Sequence, residues 1–258
     1  MHNARRSHAN KTYTDFLYAR LQRAGALHRD CQRMVNQDRN IFAACMVACG
    51  DADAMVTGAT RNYFTAFEEV MRVLGPKDDS KVFGYALLLS RGRSVIVADT
   101  TAHVRPDAEQ LADIAIQSAR RARQMLGQEP RVALLSYSTF GNPLRHVDQR
   151  MRDAVAILQA RRVDFEYDGE MSAEVALNHT LMRERYPFCR LKGPANVLIM
   201  PGLNAANIAS QLLEELGGGR RVGPLLMGLD RPAQIVDLGA TVSDMVNLAA
   251  LAAHEAIE

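Results

Sequence analysis

Strand-like runs alternate with longer helix-like segments along most of the chain after residue 80. The apolar runs RVALLSYS, ANVLIM and VGPLLMG are each followed or preceded by a stretch long enough for a helix, and one such stretch extends from Pro106-Asp107 to Gly127. This alternation predicts parallel βαβ units with right-handed crossovers, and therefore an α/β sheet covered by helices on both faces. The segment KVFGYALLLSRGRSVIVADT, with Gly92 at its turn, predicts a β-hairpin ahead of these units.

The chain before residue 80 is mainly helical. FLYARLQRAG predicts a helix capped by Thr14 or Asp15 and ended by Gly25, and DCQRMVN and NIFAACMVACG predict two more. DADAMVTG is the first predicted strand, followed by a helix over about 64–74. Three helices thus precede the first strand, so the first sheet lacks an evident N-terminal βα unit, and we expect the chain to be a fragment of a larger polypeptide.

The remaining elements complete the alternating pattern. Helices are expected over about 143–161, 172–185 and 204–216, the last of them ending at GGG. The strands are VDFEYDG and, near the C-terminus, AQIVDL, which leads into the final helix. GPKDDS (75–80) and GGRRVGP (218–224) are turn-rich and polar, which is typical of hinges between domains.

Composition excludes several classes of protein. The 258 residues are 48% hydrophobic and 23% charged, with a net charge of +2 from 31 basic and 29 acidic residues. This balance predicts a globular protein without a nucleic-acid or membrane partner. No apolar run approaches the ~18 residues that span a bilayer, and the basic N-terminus lacks the apolar core of a secretory signal. We expect a cytoplasmic protein.

The cysteines do not predict a metal site. Cys45 and Cys49 lie four residues apart in an apolar helical pattern, Cys31 and Cys189 are isolated, and no His or Cys pair completes a set of four ligands. We interpret all four cysteines as small buried hydrophobic residues in a reducing compartment.

Polar residues follow four of the predicted strands, where parallel sheets collect their ligands. After RVALLSYS, the hydroxyl groups of Ser136, Ser138 and Thr139 could bind a phosphate or a pantetheine amide, or they could only satisfy the backbone of the turn. After ANVLIM, Asn204 is interpreted chiefly as a helix cap, whereas Asn207 lies one turn further in and could face a ligand.

The other two strand ends also carry polar residues. Asp99, Thr100 and Thr101 end the second strand of the hairpin, and Arg105 before the next helix could hold an anion or be solvated. Thr241 and Asp244 match a capping box at the start of the last helix.

Other catalytic patterns are missing from the sequence. It shows no nucleophile and base pair and no glycine-rich phosphate loop. His103, His146 and His179 are scattered, and a structural role is expected for each.

Seven blocks of sequence, taken in order, resemble the phosphate acetyl/butyryl transferase family over roughly residues 12–256. They are GDADAMVTGATRNY, VADTTAHVRPDAEQLADIAI, EPRVALLSYSTFGNP, DGEMSAEVALN, LKGPANVLIMPGLNAANIASQLL, VGPLLMGLDRP and LGATVSDMVNLAALAA. Within that family, RNYFTAFEEVMRVLG and IVDLGATVSDMVNLAA look most like the C-terminal transferase-like domain of bacterial NADP-dependent malic enzymes.

The resemblance implies two three-layer α/β/α domains with a cleft between them, as in the isocitrate and isopropylmalate dehydrogenase-like folds. The first domain would be discontinuous, built from residues 1–74 and 225–258 and truncated at its N-terminus, and the second would span 75–224. In active members, CoA attacks acetyl phosphate, and electrostatic stabilisation of the phosphate and the developing oxyanion would be the main catalytic contribution.

The resemblance also implies that this chain has lost its catalytic groups. The family's Leu-Ser-Arg-Gly loop aligns with Val236–Gly239, so that Asp237 replaces the serine and Leu238 the arginine, while Asp244 keeps the position of the base. A further family arginine aligns with Glu68. These replacements make a phosphate pocket repulsive, and we expect no catalytic residues in this degenerate site.

The expected function is therefore regulatory. The resemblance implies an acetyl-CoA-binding, inhibitory domain of an NADP-dependent malic enzyme, with no cofactor of its own. NADP and a divalent metal would belong to a malic domain upstream. It further implies a homo-oligomer, a dimer through this domain that could reach a hexamer in the full-length protein. The residues expected in the ligand cleft are Ser136, Ser138, Thr139, Arg145, Asn204, Asn207 and Arg61. An active phosphate acetyltransferase and a purely structural assembly module are the alternatives.

Overall fold

A computed structural model describes residues 4–78, 80–142 and 148–257. In chain order the helices and strands of these residues are α1 (Asn10–Leu21), α2 (His28–Gln37), α3 (Arg39–Ala48), β1 (Met55–Gly58), α4 (Tyr63–Val73), β2 (Phe83–Ser90), β3 (Arg93–Ala98), α5 (Ala108–Leu126), β4 (Arg131–Leu135), α6 (Gln149–Ala160), β5 (Glu166–Met171), α7 (Ala173–Leu177), α8 (His179–Arg185), β6 (Val197–Ile199), α9 (Leu203–Glu215), β7 (Arg220–Met227), β8 (Ala233–Val236) and α10 (Val242–Glu255).

The chain divides into two compact units, and the first of them is discontinuous. One unit comprises Met1–Val82 and Gly228–Glu258, and the other comprises Phe83–Met227. The sequence placed these boundaries at 74/75 and 224/225. The difference has a local cause, because the backbone N–H of Lys77 donates to the carbonyl of Gly228 (2.9 Å) and that of Asp230 to the carbonyl of Gly75 (3.1 Å). These bonds keep the GPKDDS turn with the first unit.

In the first unit a parallel pair of strands packs among helices. β1 pairs with β8 in a register that places Met55 opposite Ala233 and Gly58 opposite Val236. Gly58 has a φ of +110°, and a Cβ atom there would lie 2.1 Å from the carbonyl oxygen of Val236. Only glycine therefore allows the two strands to approach at this position.

The start of α1 differs from the prediction. Its N-cap is Ala9, and Thr14 lies inside the helix, where its hydroxyl donates to the carbonyl of Asn10 at 2.7 Å. Thr14 and Asp15 were thus wrongly chosen as caps, because a hydroxyl bonded to the preceding turn is compatible with a helix interior. Gly25 does end the segment, with a φ of +87°, as predicted.

A carboxylate at the N-terminus of α3 joins three parts of the first unit. Asp38 accepts the backbone N–H groups of Asn40 (2.8 Å) and Ile41 (3.1 Å). Arg61 donates to Asp38 at 2.8 Å and also to Glu69 of α4. Burial raises the pKa of the Asp38 carboxyl, but the hydrogen bonds from Arg61 and the two N–H groups together lower the pKa by more than burial raises it. The pKa therefore lies below its usual value.

The second unit is built on a six-stranded sheet in the order β5-β4-β6-β3-β2-β7. β3, β4, β5 and β6 pair in parallel, and β2 runs antiparallel to both β3 and β7. The predicted hairpin and the predicted parallel βαβ units are thus both present. Strand β5 begins three residues later than the predicted run VDFEYDG.

Helices cover both faces of this sheet. Val97, Leu135 and Leu198 pack in one cluster with Met182 of α8 and Ala206 of α9. Because successive side chains of a strand point to opposite faces, their neighbours Ile96, Leu134 and Ile199, all fully buried, point to the other face. Helices α5 and α6 pack against the sheet there, which gives the expected three-layer α/β/α arrangement.

Three of the four cysteines are buried and one is not. Cys31, Cys45 and Cys189 are buried, and burial raises the pKa of the Cys45 thiol to about 12. Cys49 is exposed because it is the C-cap of α3, so the prediction of a buried residue was wrong there.

None of the helices in the described part of the chain has the length and apolar character that a membrane span requires.

Replacing Asp38 tests the junction at α3. Asp38→Ala removes both a helix cap and an ion pair, and should lower the free energy of unfolding by about 2 kcal/mol. Asp38→Asn should cost roughly half as much, because asparagine also caps helices. Urea unfolding followed by circular dichroism measures both variants.

The pH dependence of the free energy of unfolding separates the contribution of the ion pair from that of the helix cap. A carboxyl with a lowered pKa in the folded state contributes stability above the unfolded pKa of about 3.9, and this contribution is lost as the pH falls through the folded pKa. The wild type should therefore exceed Asp38→Asn in stability at pH 7, and the difference should shrink below about pH 4. A constant difference between pH 3 and pH 7 would show that the charge contributes nothing.

Candidate functional site

The carboxyl ends of β4 and β6 border a cleft of about 810 Å³ within the second unit. Parallel strands leave such space where their connecting loops diverge, and the volume falls in the usual range for small-molecule sites. The cleft is lined by Arg105, Leu135, Ser136, Tyr137, Asp148, Gln149, Arg150, Ala173, Met200, Pro201 and Ala205.

The deeper part of the lining is apolar. Leu135, the last residue of β4, is 5% exposed, and Met200, directly after β6, is 8% exposed. Ala173 and Ala205 come from the first turns of α7 and α9. Such a surface favours an apolar chain over a small charged ligand. The polar members stand in the loops around this surface.

Arg150 is held by the protein itself. Its guanidinium donates to the carboxylate of Asp148, with Nε 2.9 Å from Oδ1, and to the carbonyl oxygens of Pro106 (2.6 Å) and Pro201 (3.2 Å). The bond from Arg150 lowers the pKa of the Asp148 carboxyl more than burial raises it. Arg150 therefore joins α6 to the loops that follow β3 and β6, and its charge is already matched by Asp148.

Arg105 is the contrasting cation of the lining. It is exposed, and it forms no hydrogen bond or ion pair with another residue within the described ranges 4–78, 80–142 and 148–257. The charge of Arg105 does help to lower the pKa of the Asp148 carboxyl. Of the two interpretations that the sequence left open, an arginine that lines a cleft and donates no hydrogen bond to a carboxylate in these ranges favours anion binding.

The loop that leads to Arg105 is fixed by the buried carboxylate of Asp99. Asp99 is 1% exposed and accepts the backbone N–H groups of Gly84 (2.9 Å), Thr101 (2.7 Å) and His103 (2.8 Å). Nδ1 of His103 lies 2.7 Å from the same carboxylate. Asp99 is thus fully engaged in shaping the end of β3, and His103 has the structural role expected of it.

The three hydroxyl residues after β4 have different surroundings. Ser136 lines the cleft, with its Oγ 3.1 Å from the Oγ of Ser138. Ser138 is buried and donates to Glu170 at 3.2 Å, and Thr139 accepts the backbone N–H of Ser172 at 3.0 Å. Ser138 and Thr139 therefore form hydrogen bonds that stabilise the loop itself, which is the second of the two interpretations. For Ser136, ligand binding stays the prediction.

The two asparagines of α9 do not line the described part of the cleft. The N-cap of α9 is Gly202, and no side chain caps it. The cap interpretation of Asn204 was therefore wrong, because Asn204 is exposed one residue inside the helix. Asn207 is half-buried, and Ala205 is the α9 residue that faces the cleft.

The remaining predicted residues lie in the first unit or outside the described residues. Arg61 is bound by the carboxylates of Asp38 and Glu69, which leaves it poorly suited to a phosphate. Leu238 is 62% exposed, in the loop between β8 and α10. Arg145, like His146, lies outside the described residues.

Asp244 forms the capping box that the sequence predicted at the start of α10. Its Oδ2 accepts both the backbone N–H (2.9 Å) and the hydroxyl (2.7 Å) of Thr241, whose Oγ accepts the N–H of Asp244 at 3.2 Å. The carboxylate of Asp244 is thus engaged in stabilising its own helix.

Sequence reasoning missed Tyr137, Gln149 and Arg150 as lining residues. Tyr137 lies between the two serines that were predicted to bind a ligand, and its position directly after a buried strand was an available signal. Gln149 and Arg150 begin α6, but only the tertiary structure shows that this helix starts beside the cleft. Among the described residues no group of three or more His, Cys, Asp or Glu side chains could hold a metal ion.

Comparison with curated proteins identifies two kinds of relative. An NADP-dependent malic enzyme of Rhizobium meliloti is 58% identical over 98% of this chain, which covers 33% of that protein. A phosphate acetyltransferase of Bacillus subtilis is 32% identical over 92% of this chain, which covers 73% of that protein. The chain thus spans about a third of the length of the malic enzyme and about three quarters of the transferase.

The solved structures agree with the sequence comparison. The EutD phosphotransacetylase of Staphylococcus aureus matches 99% of this chain, which covers 78% of that structure, with a TM-score of 0.83 and 26% identity. A phosphotransacetylase of Streptococcus pyogenes matches 97% of the chain, covering 76% of that structure, with a TM-score of 0.87 and 26% identity. The sequence pattern of one family, described as phosphate acetyl/butaryl transferase, matches residues 1–253. The chain belongs to the phosphate acetyl/butaryl transferase family.

Proposed function

We propose that this chain is a regulatory unit of a cytoplasmic NADP-dependent malic enzyme that binds acetyl-CoA and does not transfer its acetyl group. The observation that carries the proposal is a contrast between the two units. The position of the family's catalytic loop holds Asp237 and an exposed Leu238, whereas the cleft of the second unit keeps an apolar surface and a cation.

The absence of transfer follows from the chemistry of the loop. A transferase must stabilise the charge of acetyl phosphate, and the resemblance assigns that task to the serine and arginine that Asp237 and Leu238 replace. A lost hydrogen bond between charged groups costs about 1.5–3 kcal/mol, and each 1.36 kcal/mol slows a reaction tenfold. A carboxylate in place of the serine adds repulsion, so turnover should fall by several orders of magnitude.

The cleft has the features that an acetyl-CoA site requires. Leu135, Met200 and Ala173 provide apolar surface for the acetyl group and the pantetheine chain. Ser136 offers a hydroxyl for a pantetheine amide, and Arg105 offers a guanidinium for a phosphate of the nucleotide portion. All of these residues belong to the described part of the second unit.

The regulatory role rests on the relatives. Malic enzymes are similar to this chain over almost its whole length, and the chain covers about a third of theirs. In such a protein NADP and a divalent metal would act in the malic domain, while this unit would assemble dimers, and a hexamer in the full-length enzyme. Inhibition by acetyl-CoA then requires two states that bind it unequally, with a coupling free energy of about 1–3 kcal/mol.

An active phosphate acetyltransferase is the second candidate. It is favoured by the transferase of Bacillus subtilis among the relatives and by Asp244, which retains the carboxylate at the base position. In the structure that carboxylate accepts two hydrogen bonds from Thr241. A purely structural assembly module, the third possibility, would bind no acetyl-CoA.

Replacing Arg105 tests the binding site. Arg105→Ala should weaken acetyl-CoA binding about tenfold or more, because one charge-assisted hydrogen bond to phosphate is lost. Isothermal titration calorimetry measures the affinity. Arg120→Ala, which removes an exposed arginine of α5 that does not line the cleft, is the matched control and should bind as the wild type does. Equal affinities for both variants would place the ligand elsewhere, and no binding by the wild type would favour the assembly module.

Direct assay tests the loss of transfer. The wild-type chain, incubated with acetyl phosphate and CoA, should form no acetyl-CoA above the rate of a blank, measured by thioester absorbance. The double variant Asp237→Ser and Leu238→Arg restores the groups that the resemblance implies and should gain measurable activity. Clear turnover by the wild type would contradict the proposal and establish the second candidate.

A further inference from the structure

Glu170 is a buried charge that the proposed binding site does not use directly. It lies in β5, and its side chain is 1% exposed. A buried carboxylate is costly unless several donors surround it, so its partners show what it stabilises. They belong to two segments of the chain, each of which also contains residues that line the cleft.

The first set of partners is the loop that carries Ser136 and Tyr137. Oε1 of Glu170 accepts the hydroxyl of Ser138 at 3.2 Å and the backbone N–H of Gly141 at 2.9 Å. Between them, the N–H of Phe140 donates to the backbone carbonyl of Glu170 at 2.8 Å. Three attachments, at Ser138, Phe140 and Gly141, thus follow within four residues of Tyr137, the second of the two residues that line the cleft.

This loop has a backbone that needs such support. Phe140 has a φ of +48°, a left-handed conformation that residues with a Cβ atom seldom adopt. Such conformations persist where the surrounding structure over-determines them. The bonds from Phe140 and Gly141 to Glu170 supply that restraint.

The second partner is Arg152 of α6. Its Nε lies 2.7 Å from Oε2 of Glu170 and its Nη2 lies 3.1 Å from Oε1, a two-point geometry that fixes distance and orientation together. Arg152 follows Gln149 and Arg150 by three and two residues, and both of these line the cleft. One carboxylate therefore holds the loop after β4 and the first turn of α6 in a single arrangement.

The charge state supports this role. Burial raises the pKa of the Glu170 carboxyl, but the bonds from Arg152 and Gly141 together lower it more, so the pKa lies below its usual value. The group is thus ionised at neutral pH, and its bonds are charge-assisted, which makes them shorter and stronger than neutral ones.

We propose that Glu170 is a positioning residue of the ligand cleft: with Arg152 it sets the relative placement of the Ser136–Tyr137 loop and the start of α6, and thereby the affinity for acetyl-CoA. The identity of the ligand rests on the proposed function. The effect of Glu170 on the loop does not, because it is a property of the unliganded protein.

The variant Glu170→Gln keeps the size of the side chain and removes its charge. Two measurements report the effect of this substitution. The first is the backbone ¹H–¹⁵N resonance of Gly141, whose N–H donates directly to the carboxylate, and the second is the affinity for acetyl-CoA, measured by calorimetry. The matched control is Glu214→Gln, which breaks a less buried ion pair of the second unit, between α9 and Arg221 of β7 (3.0 Å); neither residue lines the cleft. Thermal unfolding fixes a temperature at which all variants remain folded.

For Glu170→Gln we expect the Gly141 amide proton to move upfield, the Tyr137 amide to shift, and acetyl-CoA to bind about tenfold more weakly, as for the loss of one charge-assisted bond. Glu214→Gln should change neither measurement. If Glu170→Gln does not fold, Arg152→Lys serves instead, because it keeps the charge, loses the two-point geometry, and should shift the same amides with a smaller loss of affinity.

Two results would overturn the proposal. Unchanged Gly141 and Tyr137 resonances in both variants would show that Glu170 does not position the loop. Shifted resonances with unchanged acetyl-CoA affinity would show that the loop placement has no role in binding. If the wild type binds no acetyl-CoA, the proposed function fails. The amide resonances then still decide whether Glu170 positions the loop, while its claimed effect on affinity fails with the function.

Discussion

Buried carboxylates at the ends of strands hold the cleft of the second unit in shape. Asp99 gathers the backbone N–H groups of the loop after β3, and Glu170 gathers the loop after β4. Each loop leaves the sheet where its backbone groups lose their strand partners, and a buried N–H without an acceptor is costly. The carboxylates supply acceptors, and they also fix where Arg105, Ser136 and Tyr137 stand. The binding surface depends on these two charges although neither lines the cleft.

The arginines of this region show how charge is divided between structure and function. Arg150 and Arg152 are each matched by a carboxylate, Asp148 and Glu170 respectively, and their donors hold loops together. Arg105 donates no hydrogen bond to a carboxylate in the described part of the chain, although its charge helps to lower the pKa of Asp148. An incoming phosphate would therefore have to displace a hydrogen-bonded carboxylate from Arg150 or Arg152, whereas it could bind Arg105 without breaking such a bond. This difference, more than the number of arginines, explains why we assign anion binding to Arg105.

Local chemistry predicted the elements well and the site only in part. The capping box at Thr241, the start of α5 after Pro106-Asp107 and the hairpin turn at Gly92 follow from neighbouring residues, so the sequence alone was enough. The interpretation of Asn204 as a cap failed because Gly202 lies at the turn, and cap positions depend on one residue of register. Glu170 could not have been found, because its partners are 18 to 32 residues away and meet only in the folded sheet.

A single experiment can test whether the chain binds acetyl-CoA without transferring its acetyl group, as we propose. Acetyl-CoA labelled with ¹³C in the acetyl group, mixed with the chain and inorganic phosphate, reports binding and transfer in one NMR spectrum. We predict that the acetyl resonance shifts and broadens on addition of the chain and remains that of a thioester over hours. The appearance of acetyl phosphate, or a resonance unchanged by the protein, would contradict it.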